Sequence, residues 1–211
     1  MEFFYRGASR PRRLGILAGT FNPPTTAHFL LAEAALEHVD EVLWALPRLL
    51  PHKSLHGATF QERIAMLCGV ASGNARHSVA ATDGGLFIDI ARECRAIYGE
   101  ATELLFVCGR DAAQRVMEWD YGRPDALREM LAEFEMLVAG RNGHYETSGP
   151  FAARIHPLPV AGSFERVSST EVRERIARGE PWEHLVPGAI VELVKQIYAF
   201  ESGAGLWTAG Q

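Results

Sequence analysis

Apolar residues in this chain fall into short continuous runs, separated by longer stretches in which they recur every three or four positions. The runs are Leu14–Ala18, Glu41–Leu46, His77–Ala81, Leu104–Cys108 and Phe134–Ala139. Each has the length and character of a strand covered on both faces. Between the first two lies the stretch 28–38, with Phe29, Leu30, Ala32, Ala35 and Leu36 on one helical face. The stretch 61–71 repeats the period with Ile64, Leu67, Cys68 and Ala71. Strand then helix, repeated along the chain, predicts an α/β fold: a doubly wound, mostly parallel sheet with helices on both faces and right-handed crossovers.

Two regions break the alternation. Leu46–Phe60 carries two prolines, two histidines and a lysine and reads as a long loop. From Arg154 a short strand leads through Val167–Ile176 into a helix, and a last helix is expected over Pro187–Phe200. No repeat, low-complexity tract or linker divides the chain, which predicts a single domain over 1–211, with its core at about 13–200 and a frayed tail over 201–211.

Composition narrows the function classes. With 47% hydrophobic and 22% charged residues, 211 residues suffice for a core without staples. A net charge of −5 argues against a nucleic-acid surface, which needs clustered excess Lys and Arg. A small anionic ligand needs only a few placed cations. Cys68, Cys94 and Cys108 are odd in number, widely spaced and set in apolar stretches, as expected of buried free thiols. No run reaches the ~20 apolar residues of a membrane span, and the start lacks the order of a signal peptide, so the expected location is cytoplasmic, with no membrane partner. A homo-oligomer is left open.

Candidate chemistry lies at three places. In an open parallel sheet, ligands bind beyond the carboxyl ends of strands, where the chain turns into the next helix and its N–H groups and dipole favour an anion. The stretch "AGTFNPPTTAH", Ala18–His28, follows the first strand. Gly19 permits close approach, Pro23 and Pro24 stiffen the turn, and Thr25 or Thr26 caps a helix with His28 in its first turn. It is neither the three-glycine dinucleotide fingerprint nor a Walker loop. A histidine so placed also serves as a structural or solvated group. In "VSSTEVRERI", Ser168, Ser169 or Thr170 caps a helix followed by Arg173 and Arg175. This is a phosphate cradle, or else an ordinary capping box closed by Glu171 with solvated arginines. In "LFVCGRDAAQRVMEW" the strand stops at Gly109, placing Asp111 where a ribose hydroxyl could be held. Trp119 reads either as core packing or as a stacking surface for a flat ring.

Together the motifs resemble those of the nucleotidyltransferase superfamily. "GTFNPPTTAH" is similar to its G-T-F-D-P-x-H/T-x-G-H signature and "VSSTEVR" to its I-S-S-T-x-I-R signature, near opposite ends of the chain. "LPRLLPHK", "ERIAML", "GRD" with Trp119, "VAGRNG" and "VPGAIVELVKQIY" extend the likeness toward the bacterial nicotinate (or nicotinamide) mononucleotide adenylyltransferases. Asn22 stands where the signature has Asp, Thr25 takes its first histidine position, and Ala27 replaces glycine. Gly84–Ile97 lacks the Ser-Tyr-Thr and further Thr of those enzymes.

The resemblance implies a Rossmann-like nucleotidyltransferase fold and adenylyl transfer from ATP to a mononucleotide, with Mg2+ held mainly by the ATP phosphates. By it, His28, Thr25, Lys53 and Arg173 are catalytic. ATP is bound by Gly19, Thr20, Phe21, His28, Gly109, Asp111, Ser168, Ser169, Thr170 and Arg173. Trp119, Asn22 and Arg141 hold the acceptor, and no dedicated metal ligands are implied. Pantetheine phosphate, or a sugar or alcohol phosphate with CTP, is an alternative substrate pair, and a non-catalytic nucleotide-binding module is an alternative class.

Overall fold

The computed structural model describes residues 1–7, 10–48, 57–123, 125–140, 150–161 and 167–203. Its strands are β1 (Glu2–Tyr5), β2 (Arg13–Ala18), β3 (Glu41–Pro47), β4 (His77–Thr82), β5 (Glu103–Gly109), β6 (Glu135–Ala139) and β7 (Ile155–Pro157). They form one seven-stranded sheet in the order β1-β4-β3-β2-β5-β6-β7. β1 pairs antiparallel with β4, and every other neighbour pair is parallel.

The helices are α1 (Thr26–Ala35), α2 (Phe60–Ala71), α3 (Phe87–Tyr98), α4 (Arg110–Glu118), α5 (Ala126–Glu133), α6 (Ser169–Arg178) and α7 (Val191–Gly203). They cover both faces, which is why the central strands read as continuous apolar runs. Side chains of a strand alternate in direction, so Leu17 and Trp44 enter one core with Leu67, Ile190 and Val194, while Ile16 and Leu43 enter the other with Ile90, Phe106 and Met136.

The doubly wound, mostly parallel expectation is met. Sequence periodicity alone did not indicate β1, a four-residue edge strand whose Phe3 packs on one core and whose Phe4 and Tyr5 pack on the other. Nor did it separate α3, α4 and α5, whose buried residues are few: Ile90, Ala91 and Cys94 in α3, Ala113 in α4, Met130 and Leu131 in α5. The last helix starts at Val191 rather than Pro187, because a 3-10 turn over Gly188–Ile190 intervenes. Of the expected tail, 204–211 lies outside the described residues.

From β2 the chain moves outward through β3 to β4, then returns to place β5 on the other side of β2. The order reverses between β2 and β5, and a crevice opens beyond their carboxyl ends.

Candidate active site

β2 ends at Ala18 and turns at the mouth of this crevice. The Gly19 N–H donates to the Ala45 carbonyl at 3.2 Å. A Cβ on Gly19 would lie 3.2 Å from the Phe21 ring, closer than ordinary packing, so the turn folds tightly over that ring. Phe21 has φ of 47°, a left-handed conformation that is strained for a bulky residue. Its buried ring meets His28 edge-on at 5.2 Å and lies tilted against Trp44 at 5.6 Å. The Asn22–Pro23 peptide is cis.

Three carbonyls of the turn are taken by donors from distant helices. The Thr20 carbonyl accepts from Arg63 Nη1 of α2 at 3.2 Å. The Asn22 carbonyl accepts from Arg173 Nη1 at 2.6 Å and the Pro23 carbonyl from Ser169 Oγ at 2.7 Å, both from the first turns of α6. Oxygens that would repel an anion are thus engaged by two guanidiniums and a hydroxyl. Arg63 was not singled out by sequence reasoning; its signal is a charge on the buried face of α2, where it is only 4% exposed.

His28 is the third residue of α1, and its imidazole closes a capping box with Thr25. The Thr25 N–H donates to His28 Nδ1 at 3.0 Å, and Thr25 Oγ1 lies 2.8 Å from the same nitrogen. An Nδ1 that accepts a backbone N–H carries no proton. Burial lowers the pKa of His28 to about 4, so at neutral pH the ring is uncharged with its proton on Nε2. Among the described residues no partner takes that Nε2–H.

A cavity of about 470 Å³ fills the crevice. Gly19, Thr20 and His28 form one wall, Val107, Cys108 and Gly109 at the end of β5 another. Gly85, Leu86 and Phe87 enter from the start of α3, and Ala112, Arg115, Val116 and Trp119 from one face of α4. The structure therefore brings Gly19, Thr20, His28, Gly109 and Trp119 together at one cavity. Leu86, Phe87, Arg115 and Tyr121 join them, though nothing in the sequence patterns singled them out.

Other expected residues sit elsewhere. Phe21 and Thr25 lie behind the wall, supporting His28. Asn22, expected at the acceptor, is 4% exposed, and its Oδ1 accepts from the Ala58 N–H at 3.1 Å and from the Tyr198 hydroxyl. It belongs to the scaffold, because a buried amide must be satisfied internally. Asp111 stands exposed on the first turn of α4, 3.9 Å from Arg110 Nε and off the cavity wall. Ser168 caps α6 by accepting from the Glu171 N–H at 3.1 Å. Glu171 bonds Arg175 at 2.5 Å instead of returning to the cap, so the expected capping box is one-sided. Arg173, expected on phosphate, has one arm on the Asn22 carbonyl and the other 3.4 Å from Thr170 Oγ1. Lys53 and Arg141, like His52 and His56, lie outside the described residues.

The three cysteines are free thiols as expected. Burial pushes Cys68 and Cys94 up and Cys108 up to about 12, so none is an activated nucleophile. Among the described residues no three His, Cys, Asp or Glu side chains cluster to hold a metal, and no helix is long and apolar enough to cross a membrane.

A crevice at the reversal of a parallel sheet, walled by a rigid turn, a neutral histidine donor and a helix from the next strand, defines a nucleotide-handling α/β enzyme. The family model described as cytidylyltransferase-like matches residues 16–175, and the chain belongs to that family. It is a nucleotidyltransferase, and its relatives are adenylyltransferases. The "Probable nicotinate-nucleotide adenylyltransferase" of Saccharopolyspora erythraea is 32% identical over 196 residues, 88% of this chain and 88% of that one. The protein of the same description from Anaeromyxobacter dehalogenans is 30% identical over 194 residues, 87% of this chain and 94% of its own. The fold is similar to that of Plasmodium falciparum nicotinic acid mononucleotide adenylyltransferase complexed with NaAD, with a TM-score of 0.67 at 16% identity, over 89% of this chain and 98% of that chain.

Proposed function

We propose that this single-domain protein transfers the adenylyl group of ATP, taken as its Mg2+ complex, to nicotinate mononucleotide, in the cytoplasmic synthesis of NAD. A 5′-phosphate oxygen of the mononucleotide attacks the α-phosphorus, the bond from that phosphorus to the bridging oxygen breaks, and pyrophosphate leaves with the electron pair. Such a transfer asks the protein for positioning and charge stabilisation rather than covalent chemistry.

The observation that carries this reading is the fixed tautomer of His28. Its Nε2–H is held on the cavity wall by two contacts to Thr25, ready to donate to an α-phosphate oxygen as charge builds there. Arg173 and Ser169 keep the turn in place, and Arg173 adds positive charge near the phosphates. Mg2+ would arrive with ATP, held mainly by the phosphates and water, as suits an ion that keeps its hydration shell. Lys53, in the long loop, and Arg141 are assigned to phosphate and acceptor on the family motif alone.

Pyrophosphate release, measured with ATP and with CTP across nicotinate mononucleotide, nicotinamide mononucleotide, phosphopantetheine and glycerol phosphate, tests the assignment. Turnover with ATP and nicotinate mononucleotide is expected to exceed every other pair. A preference for phosphopantetheine or for CTP would move the acceptor assignment, and no release with any pair would leave a binding module.

A further inference from the structure

The cavity has two unlike sides. Leu86 and Phe87 make the side from α3 apolar, with Phe87 locked by stacking on Phe106 at 4.1 Å between centroids and 13° between planes. Another side is one face of α4, where Ala112, Arg115, Val116 and Trp119 follow the i, i+3, i+4, i+7 spacing of a helix. With His28 uncharged, Arg115 is the one formally charged side chain on the described wall.

Arg115 is available for a ligand. Its Nε donates to the Asp111 carbonyl at 3.2 Å within the helix, which orients the guanidinium, and no carboxylate pairs with it among the described residues. It lies one helical turn before Trp119, and both line the same cavity. Arginine is the side chain best shaped to hold a carboxylate by two parallel hydrogen bonds.

We propose that Arg115 is a specificity-determining residue that binds the pyridine carboxylate of the acceptor and selects the acid over the amide mononucleotide. This rests on the proposed function. The two acceptors share ribose, phosphate and ring, and differ only in a carboxylate against a neutral carboxamide. A cation beside the ring therefore discriminates between them, whereas stacking on Trp119 treats both alike. The apolar side formed by Leu86 and Phe87 supplies no side-chain donor to compete for the group.

Steady-state kinetics of wild type, Arg115→Gln and Arg115→Lys, with ATP and each pyridine mononucleotide, test the inference. For Arg115→Gln, KM for nicotinate mononucleotide is expected to rise about tenfold or more, the scale of one charged hydrogen bond lost. KM for ATP and for nicotinamide mononucleotide should stay within about twofold, so the preference for the acid collapses, and Arg115→Lys should restore part of it. Thermal melting of each variant separates loss of fold from loss of recognition. An equal rise for both mononucleotides would mean that Arg115 reads the shared phosphate, and an unchanged acid preference would mean that it reads nothing; either result overturns the inference while leaving the proposed function standing. Wild type that turns over neither mononucleotide overturns the proposed function, and this inference with it.

Discussion

Arg173 Nη1 donates to the backbone carbonyl of Asn22 at 2.6 Å, joining residues 151 positions apart. With Ser169 on the Pro23 carbonyl, it fastens the first turn of the sheet to the first turns of α6. The two signatures at opposite ends of the chain are one structural unit.

Loss of that arginine should therefore act twice. Arg173→Ala removes both a tether of the turn and a positive charge beside the phosphates. KM for ATP is expected to rise and kcat to fall, together on the order of 2 kcal/mol in kcat/KM, with a lowered Tm. Calorimetry showing unchanged ATP affinity at a lowered Tm would leave Arg173 as a tether alone.

His28 is expected to behave otherwise, because its donor meets charge that grows only in the transition state. His28→Ala should lower kcat by roughly 100-fold or more with little change in KM for ATP. Thr25→Val, which keeps the backbone N–H on Nδ1 and removes the hydroxyl, should cost less, and a fully active His28→Ala would refute the role.

Trp119 is 47% exposed although it is a large aromatic residue, and it lies on the cavity wall. Stacking of a base on an aromatic ring is worth about 1–3 kcal/mol in single-strand binding proteins. Trp119→Ala should weaken binding of either pyridine mononucleotide roughly tenfold or more and leave ATP affinity nearly unchanged, as read by titration calorimetry. This separates stacking, blind to the acid, from the selectivity assigned to Arg115.

Acid should destabilise the protein through two histidines. Burial lowers His28 to about 4, and burial with the Arg76 charge lowers His77 to about 4, although the Glu33 carboxylate lies 3.2 Å from His77 Nε2. That contact makes no hydrogen bond, so desolvation prevails for a fully buried ring. Both groups are proton-poor when folded and titrate near 6.5 when unfolded. Between those values the unfolded chain binds more protons, so stability falls as pH drops from about 6.5 to about 4. Tm measured across this range should decline, and His77→Gln, which cannot take up the proton, should flatten the decline even if it lowers Tm at pH 7.

The short apolar runs and the period between them determined the parallel α/β class, because strand and helix periodicities are local properties of the backbone. The turn after the first strand and the cap of α6 were equally legible, since Gly, Pro, Ser and Thr at those spacings act on their immediate neighbours. The edge strand β1 was not legible, because four residues are too short a stretch to establish a period. Only the tertiary structure decided how side chains meet. It turned Asn22 inward to Tyr198, gave one arm of Arg173 to a carbonyl, left Asp111 off the wall and faced the side of α4 that carries Arg115 and Trp119 into the cavity. Strand order and helix packing bring these groups together across up to 176 positions, and such distances lie beyond the reach of any periodicity read along the chain.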